Sequence, residues 1–350
     1  MVPALSVADA LRDDGHRVVF VGSARDEARL VPEAGYEFRQ ISVEGFSRSN
    51  PLKALKAGGK AVGAVAASRR ILRDVRPDAV MGGGGYVAGV VGAAAVLTKT
   101  PLVLTEADSH LGVSNRLLHG KARRVCLGFP LEGRDEPTFR VTGRPVPAPW
   151  TDRAAARARF GLDERTPTVL LFGGSIGARS INEAAIEGLV GLEGTALDGS
   201  GDRVPIAVLH VAGRRDHPRL VDRVPADGDY QLFDYLSPLS PALAACDLVV
   251  ARSGGSIAEV TAHGKPAVLV PYPHASADHQ TANARWMADA GAATVIADGD
   301  LTAEGLRSMV GELLGDLTEL RRMADVSASL ARPDAARTIA DEVLAAAEAG

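Results

Sequence analysis

Three times along the chain a short apolar run ends in a glycine cluster and passes straight into a helical pattern. Asp78–Met81 precedes Gly82 to Gly85, Thr168–Phe172 precedes Gly173, Gly174, Ser175 and Gly177, and Asp247–Ala251 precedes Ser253, Gly254, Gly255 and Ser256. A run that is apolar at nearly every position suits a strand buried on both faces, which is the environment of a parallel sheet covered by helical crossovers. Glycines between strand and helix raise the entropy cost of ordering the chain, and a tight turn rarely needs four of them. What they offer is backbone that can close round an anion at a helix start. The pattern therefore predicts an α/β fold with anion sites at strand ends.

The stretch 247–283 carries this furthest. After the turn at Ser253–Ser256 the spacing predicts a helix over Ile257–His263 whose free N–H groups point back into the turn. Gly264 stops that helix, Pro266 opens a second buried strand at Ala267–Pro271, and the polar run His274–Gln280 leads into a helix from about Thr281. Two consecutive crossovers of this kind make a nucleotide site. Glu259 stands about one helical turn inside the first helix, where its carboxylate could accept both hydroxyls of a ribose while phosphates occupy the helix start. A solvated helix position is the ordinary fate of a glutamate, but its place after Ser-Gly-Gly favours the ribose.

The rest of the chain alternates helix and strand in two similar halves. The pattern predicts helices over Val2–Asp14, Asp26–Ala34, Pro51–Val75, Tyr86–Leu97 and Ala178–Leu192, with strands over Arg17–Gly22, Tyr36–Ile41, Leu102–Thr105, Val125–Phe129, Phe139–Thr142, Ile206–Val211 and Tyr230–Phe233, and a polar loop over Gly194–Asp202. A length of 350 residues suits two domains. The stiffest linker is Gly143–Trp150, with Pro145, Pro147 and Pro149, which divides the chain into 1–146 and 147–333; helix 334–350 is expected to join the first domain. Glu106, Ala107, Asp108, Ser109 and His110 form a polar group at a strand's carboxyl end, where open parallel sheets place ligands. A net charge of -4 argues against general nucleic-acid binding. Cys126 and Cys246 lack metal or redox spacing and read as buried, reduced thiols. No apolar run reaches the roughly twenty residues needed to span a bilayer, so any membrane contact is peripheral. The segment Leu52–Arg73, with six cations beside Leu55, Val62, Val65, Ala66 and Leu72, is the candidate for that contact or else a solvated face.

Gly84, Gly85, Tyr86, Val87 and Gly89; Gly173, Gly174, Ser175, Gly177 and Ala178; Arg252, Ser253 and Gly254 with Glu259; and His279, Gln280, Asn283 and Ala284 together resemble the ordered motifs of the MurG family of UDP-N-acetylglucosamine transferases, over nearly the whole chain. The resemblance implies the GT-B fold, two Rossmann-like domains facing across a cleft, and inverting transfer without metal or cofactor. It implies UDP-N-acetylglucosamine as donor and undecaprenyl-diphosphate-linked N-acetylmuramoyl-pentapeptide, lipid I, as acceptor. The expected location is the cytoplasmic face of the cell membrane, with other cell-wall synthesis proteins as possible partners and no nucleic acid. Carried over, Ser175 lies near the donor diphosphate and Ser253, Gly254, Gly255 and Ser256 near diphosphate and sugar. Glu259 holds the ribose, Leu236 offers backbone groups to uracil, and His279 and Gln280 meet sugar hydroxyls. Gly83, Gly84, Gly85 and Tyr86 face the acceptor diphosphate. Where the family usually has His-Glu-Gln-Asn this chain has Thr105, Glu106, Ala107 and Asp108, which leaves Glu106 as the catalytic candidate and Asp108 as a sugar contact. Where the family's linker commonly ends in a base-reaching arginine this chain has Pro147, with Arg144 close enough to substitute.

A helix at Val2–Asp14 followed by a strand at Arg17–Gly22 is the second half of a strand–helix–strand crossover. The expectation is therefore a further strand and glycine loop before Met1, about five to fifteen residues long, bearing the family's histidine base, without which transfer is feeble. Two alternatives stand beside the transferase. One is a UDP-sugar 2-epimerase of the same fold, and the other is a non-catalytic scaffold that binds UDP-sugar.

Overall fold

The structure, a computed structural model, describes residues 2–42, 51–174, 176–225 and 228–350, with only the helical backbone described over 51–61. It divides into two compact units, Met1–Val146 with Arg332–Gly350, and Pro147–Ala331.

In the first unit the strands are β1 (Val19–Gly22), β2 (Glu37–Gln40), β3 (Val80–Gly82), β4 (Leu102–Glu106), β5 (Arg124–Leu127) and β6 (Phe139–Val141); the helices before the linker are α1 (Val2–Asp13), α2 (Glu27–Glu33), α3 (Pro51–Val75), α4 (Gly85–Thr98) and α5 (Val113–Leu118). β3, β4, β5 and β6 form one parallel sheet in chain order, and β1 pairs with β2 in a separate parallel pair. Strand side chains alternate between faces. Leu102, Leu104, Val125 and Leu127 accordingly join the cluster under α3 and α4, with Val90, Val91, Ala94 and Ala95. Val103 and Cys126 point the other way, to Val7 and Leu11 of α1 and Ile339, Ala340 and Val343 near the carboxyl end of the chain. Val18, just before β1, packs in that second cluster with Met81, and Val21 of β1 in the first, so the segment 18–21 shares both layers with β3. Among the described residues no hydrogen-bonded strand lies between β1 and β3.

In the second unit the strands are β7 (Thr168–Phe172), β8 (Glu193–Thr195), β9 (Arg203–Pro205), β10 (Ala207–Val211), β11 (Tyr230–Phe233), β12 (Leu248–Ala251), β13 (Ala267–Leu269) and β14 (Ala293–Val295). The helices are α6 (Arg153–Arg159), α7 (Arg179–Leu189), α8 (Ser240–Ala245), α9 (Ile257–Ala262), α10 (His279–Ala290), α11 (Ala303–Gly315) and α12 (Leu317–Leu330). The six-stranded parallel sheet runs β11-β10-β7-β12-β13-β14. The chain winds outward from β7 to β11, returns to the other side of β7, and winds outward again, which is the doubly wound order. Every residue of β7, β10, β12 and β13 is buried, as the unbroken apolar runs require. β8 and β9 form an antiparallel hairpin at the rims of the loop expected over Gly194–Asp202. Strands of three residues carry too little periodicity to announce themselves.

The last helix, α13 (Ala335–Glu348), belongs to the first unit. Its buried Glu342 receives Nε of Arg124 at 2.6 Å and a guanidinium nitrogen of Arg140. Burial opposes the charge, yet the two guanidiniums hold the carboxyl below its usual range. A second pair, Arg337 to Asp14 at 2.6 Å, ties the helix to the end of α1.

Candidate active site

In a doubly wound sheet the crevice opens at the carboxyl ends of the strands where the winding reverses, here β7 and β12. The loop after β7 and the turn after β12 are the two glycine segments of the sequence. In the first, Gly177 has φ +91°, and a Cβ there would lie 2.1 Å from the carbonyl oxygen of Ala212, so only glycine lets the loop cross the end of β10. Ser175 lies outside the described residues. At the first turn of α7, buried Asn182 donates to Ala212 O at 2.9 Å and to Asp216 Oδ2 at 3.1 Å, while its Oδ1 meets Nε2 of His210 at 3.0 Å. The other ring nitrogen of His210 meets the Tyr230 hydroxyl at 2.8 Å. Burial pushes His210 down to about 4, so the ring is neutral at pH 7. The Arg215 guanidinium keeps Asp216 below the usual carboxylate range.

The turn after β12 differs in detail from the expectation. The Ser253 hydroxyl is buried and donates to the Gln280 carbonyl at 2.7 Å, and the Ser253 carbonyl accepts from Asn283 Nδ2 at 2.9 Å. Ser253 is thus the clamp between the turn and α10, and what it can offer a ligand is backbone. The amides of Ile257, Ala258 and Glu259 are taken by the carbonyls of Gly254, Gly255 and Ser256 in a tight first turn. The donors left for an anion are those of the turn itself rather than of the helix. A Cβ on Gly254 would meet only Gln280 Nε2, at 3.6 Å, so the protein has no steric need for this glycine and the open space is available to a ligand.

Other residues expected at the donor lie in the same unit. Half-buried Glu259 sits in the first turn of α9. The Gln280 side chain accepts from Tyr272 N at 3.0 Å, and His279 opens α10 with Nδ1 on Ser276 O at 2.8 Å. Ala277 and Asp278, just before it, both have φ +53°, left-handed values that disfavour side chains and that cluster at functional sites. Leu236 follows β11 directly after Tyr235, whose ring lies 4.4 Å beneath the Arg214 guanidinium. Arg252 of the recognised motif has a fuller part than the sequence assigned it. Its guanidinium reaches Val270 O and Pro271 O, both at 3.1 Å, Ser180 Oγ at 2.9 Å and Asp298 at 2.6 Å.

In the first unit, Gly84 and Gly85 have φ +80° and +77°, with no atom within 4 Å of a built Cβ. Conformation, rather than lack of space, requires glycine there. Ser114 Oγ donates to Gly85 O at 2.7 Å and fixes the turn to α5, while half-buried Tyr86 packs on the α3–α4 cluster. Glu106 is buried beneath the next loop, and its carboxylate accepts from Ala107 N at 3.1 Å, Gly112 N at 2.7 Å and Asn115 Nδ2 at 2.9 Å. The carboxylate put forward as catalytic is therefore engaged in holding the loop 107–112 that carries Asp108. Asn115, itself buried and also bonded to Thr105 O at 2.9 Å, is a partner that sequence inspection missed, since a lone asparagine nine residues on has no local signature. Arg144 is half-buried in the linker at the end of the first unit and Gly83 is exposed at the mouth of its turn.

Residues 1–127 match the Glycosyltransferase family 28 N-terminal domain and residues 168–339 the Glycosyltransferase family 28 C-terminal domain. The UDP-N-acetylglucosamine--N-acetylmuramyl-(pentapeptide) pyrophosphoryl-undecaprenol N-acetylglucosamine transferase of Moorella thermoacetica is 39% identical over 99% of this chain and 96% of its own. The chain belongs to the MurG family. The Halorhodospira halophila enzyme of the same description is 40% identical over 97% of this chain and 94% of its own. The crystal structure of Acinetobacter baumannii MurG superposes with a TM-score of 0.80 at 29% identity, covering 98% of this chain and 95% of that one. A Listeria monocytogenes protein described as a UDP-N-acetylglucosamine 2-epimerase shares the fold alone, with a TM-score of 0.67 at 14% identity over 97% and 91% of the two chains. The two units have the fold of a GT-B glycosyltransferase.

Proposed function

We propose that this chain transfers N-acetylglucosamine from UDP-N-acetylglucosamine to undecaprenyl-diphosphate-N-acetylmuramoyl-pentapeptide, converting lipid I to lipid II in peptidoglycan synthesis. The observation that carries the reading is the 39% identity, along 99% of the chain, to a transferase of that description. In this reading the unit Pro147–Ala331 binds the donor. Ser175 and the backbone of Ser253 to Ser256 meet the diphosphate, Glu259 the ribose, Leu236 the uracil, and His279 and Gln280 the sugar hydroxyls. Backbone donors aimed at the departing UDP stabilise its growing charge in place, and because they are fixed by the fold they need no reorganisation during the reaction. The unit built from 1–146 with α13 binds the acceptor, its diphosphate against Gly83, Gly84, Gly85 and Tyr86. Glu106 acts by positioning the loop 107–112 rather than by taking a proton.

The acceptor's lipid requires work at the membrane surface, on the cytoplasmic side where UDP-sugars are made. No described helix is long and apolar enough to cross a membrane. We assign the peripheral contact to α3, where Val62 is 71% exposed and Arg69, Arg70 and Arg73 follow; Lys53, Lys56 and Lys60 lie where side chains are not described. Incubation with labelled donor and a short-chain lipid I analogue should give the β-linked disaccharide product. Conversion of the donor alone to its 2-epimer, or UDP binding without any disaccharide, would refute the assignment in favour of an epimerase or a scaffold.

A further inference from the structure

The guanidinium of Arg252 stands where the end of β12, the chain after β13 and the start of α7 meet, yet the carboxylate that holds it comes from outside them. Arg252 follows β12 directly and its side chain is 12% exposed. One nitrogen donates to the carbonyls of Val270 and Pro271, which end the β13 segment, and the other to Ser180 Oγ in the first turn of α7. Ser180 in turn donates to Oδ1 of Asp298, which also sits 2.6 Å from the guanidinium. Asp298 opens a short turn between β14 and α11, remote in sequence from all the glycine motifs. A guanidinium is a planar fork with five donors, so a carboxylate at one edge sets the direction in which the remaining donors point.

Resting on the donor-site assignment above, we propose that Asp298 is a positioning residue for the donor: by fixing Arg252 and Ser180 together, it sets the spacing between the loop after β7 and the turn after β12. Those are the two backbone segments that must both reach one diphosphate. Released from Asp298, the arginine keeps its carbonyl partners and its bond to Ser180, but neither group is then fixed in direction by a shared carboxylate, and the two segments are more loosely coupled.

The test compares Asp298→Asn, Arg252→Lys and the double variant with the wild-type chain, using UDP binding by calorimetry, steady-state kinetics with a lipid I analogue, and thermal unfolding. Asp300→Asn, an exposed carboxylate in the same turn, serves as the control expected to change nothing. Asp298→Asn should raise the Kd for UDP and the KM for the donor about fivefold to tenfold, the scale of one ordinary hydrogen bond, with kcat at saturating donor and the acceptor KM within about twofold. Its unfolding midpoint should stay near that of the wild type, because the carboxylate is partly exposed. The double variant should be no weaker than the weaker single, as expected of residues acting through one contact. Unchanged donor affinity in a folded Asp298→Asn protein overturns the proposal. Tighter UDP binding overturns it too, since that would mean the aspartate restrains an arginine that otherwise binds phosphate. Additive losses that track a falling unfolding midpoint would reduce the contact to a general structural one. If the wild-type chain binds no UDP, the donor-site assignment itself fails and takes this inference with it.

Discussion

His210 makes the acid stability of the second unit calculable. Its ring is fully buried, with Nε2 on Asn182 Oδ1 and Nδ1 on the Tyr230 hydroxyl, and its pKa falls from 6.5 to about 4 because burial penalises the charged form. The Asn182 amide group donates to Ala212 O and Asp216, so its oxygen faces the ring and fixes the Nε2–H tautomer. As pH falls below 6.5 the unfolded chain takes up a proton that the folded chain refuses until near pH 4. The unfolded state therefore binds more protons across that window, and this stability is complete above 6.5 and lost on acidification. At pH 5 the unfolded histidine is about 1.5 units past its midpoint, which at about 1.4 kcal/mol per unit amounts to a loss of about 2 kcal/mol relative to pH 7.5. The chain has 2 tryptophans, Trp150 and Trp286, both in this unit, so their fluorescence in urea titrations at pH 7.5 and pH 5 reports its unfolding. His210→Gln, which cannot titrate, should lose about 2 kcal/mol less than the wild type between those pH values. The ring resonances of His210 should remain those of a neutral imidazole at pH 5. Equal losses in the two proteins, or a ring that titrates near 6.5, would refute the account of a buried neutral histidine. Because the folded ring stays neutral until near pH 4, the Asn182 contacts beneath the glycine loop should be intact at pH 5, and donor affinity of the folded protein should not fall through this histidine.

Glu259→Ala should weaken UDP-sugar binding by about 1.5–3 kcal/mol while the fold survives, the range for hydrogen bonds to a charged group, and an unchanged titration would remove the ribose assignment. Glu106→Gln keeps one carbonyl oxygen but turns an NH₂ toward the donors of Ala107, Gly112 or Asn115, so it should destabilise the loop by about 1.5 kcal/mol or more and raise the acceptor KM. If the variant instead kept its stability and acceptor KM but lost the alkaline-rising limb of its pH–rate profile, Glu106 would be the base after all. Glu342→Ala leaves half-buried Arg124 with Glu136 alone and takes the carboxylate from Arg140, and should destabilise the first unit by about 2 kcal/mol, measurable by chemical denaturation; a change within about 0.5 kcal/mol would show the cluster to be a solvated surface contact.

Much of this architecture was legible in the chain itself. Apolar runs of four or five residues followed by glycine clusters specify parallel strands and the loops at their carboxyl ends, because burial on both faces and close backbone approach each admit few residue types. Gly84, Gly85 and Gly177 could be singled out for that reason, and so could Glu259 from its distance to the Ser-Gly-Gly turn. The same local logic erred where several backbones compete for one group. It gave the free amides to α9, whereas the tight first turn leaves them to Gly254–Ser256. It put the Glu106 carboxylate forward as catalytic, whereas the loop 107–112 already engages it. Only tertiary structure decided these cases, and the pairings Arg252–Asp298, Glu106–Asn115 and His210–Asn182 with them. Sequence spacing determines which side chains share a face of one element, but which polar groups must be satisfied in the interior depends on elements that meet only when each sheet and its loops have assembled.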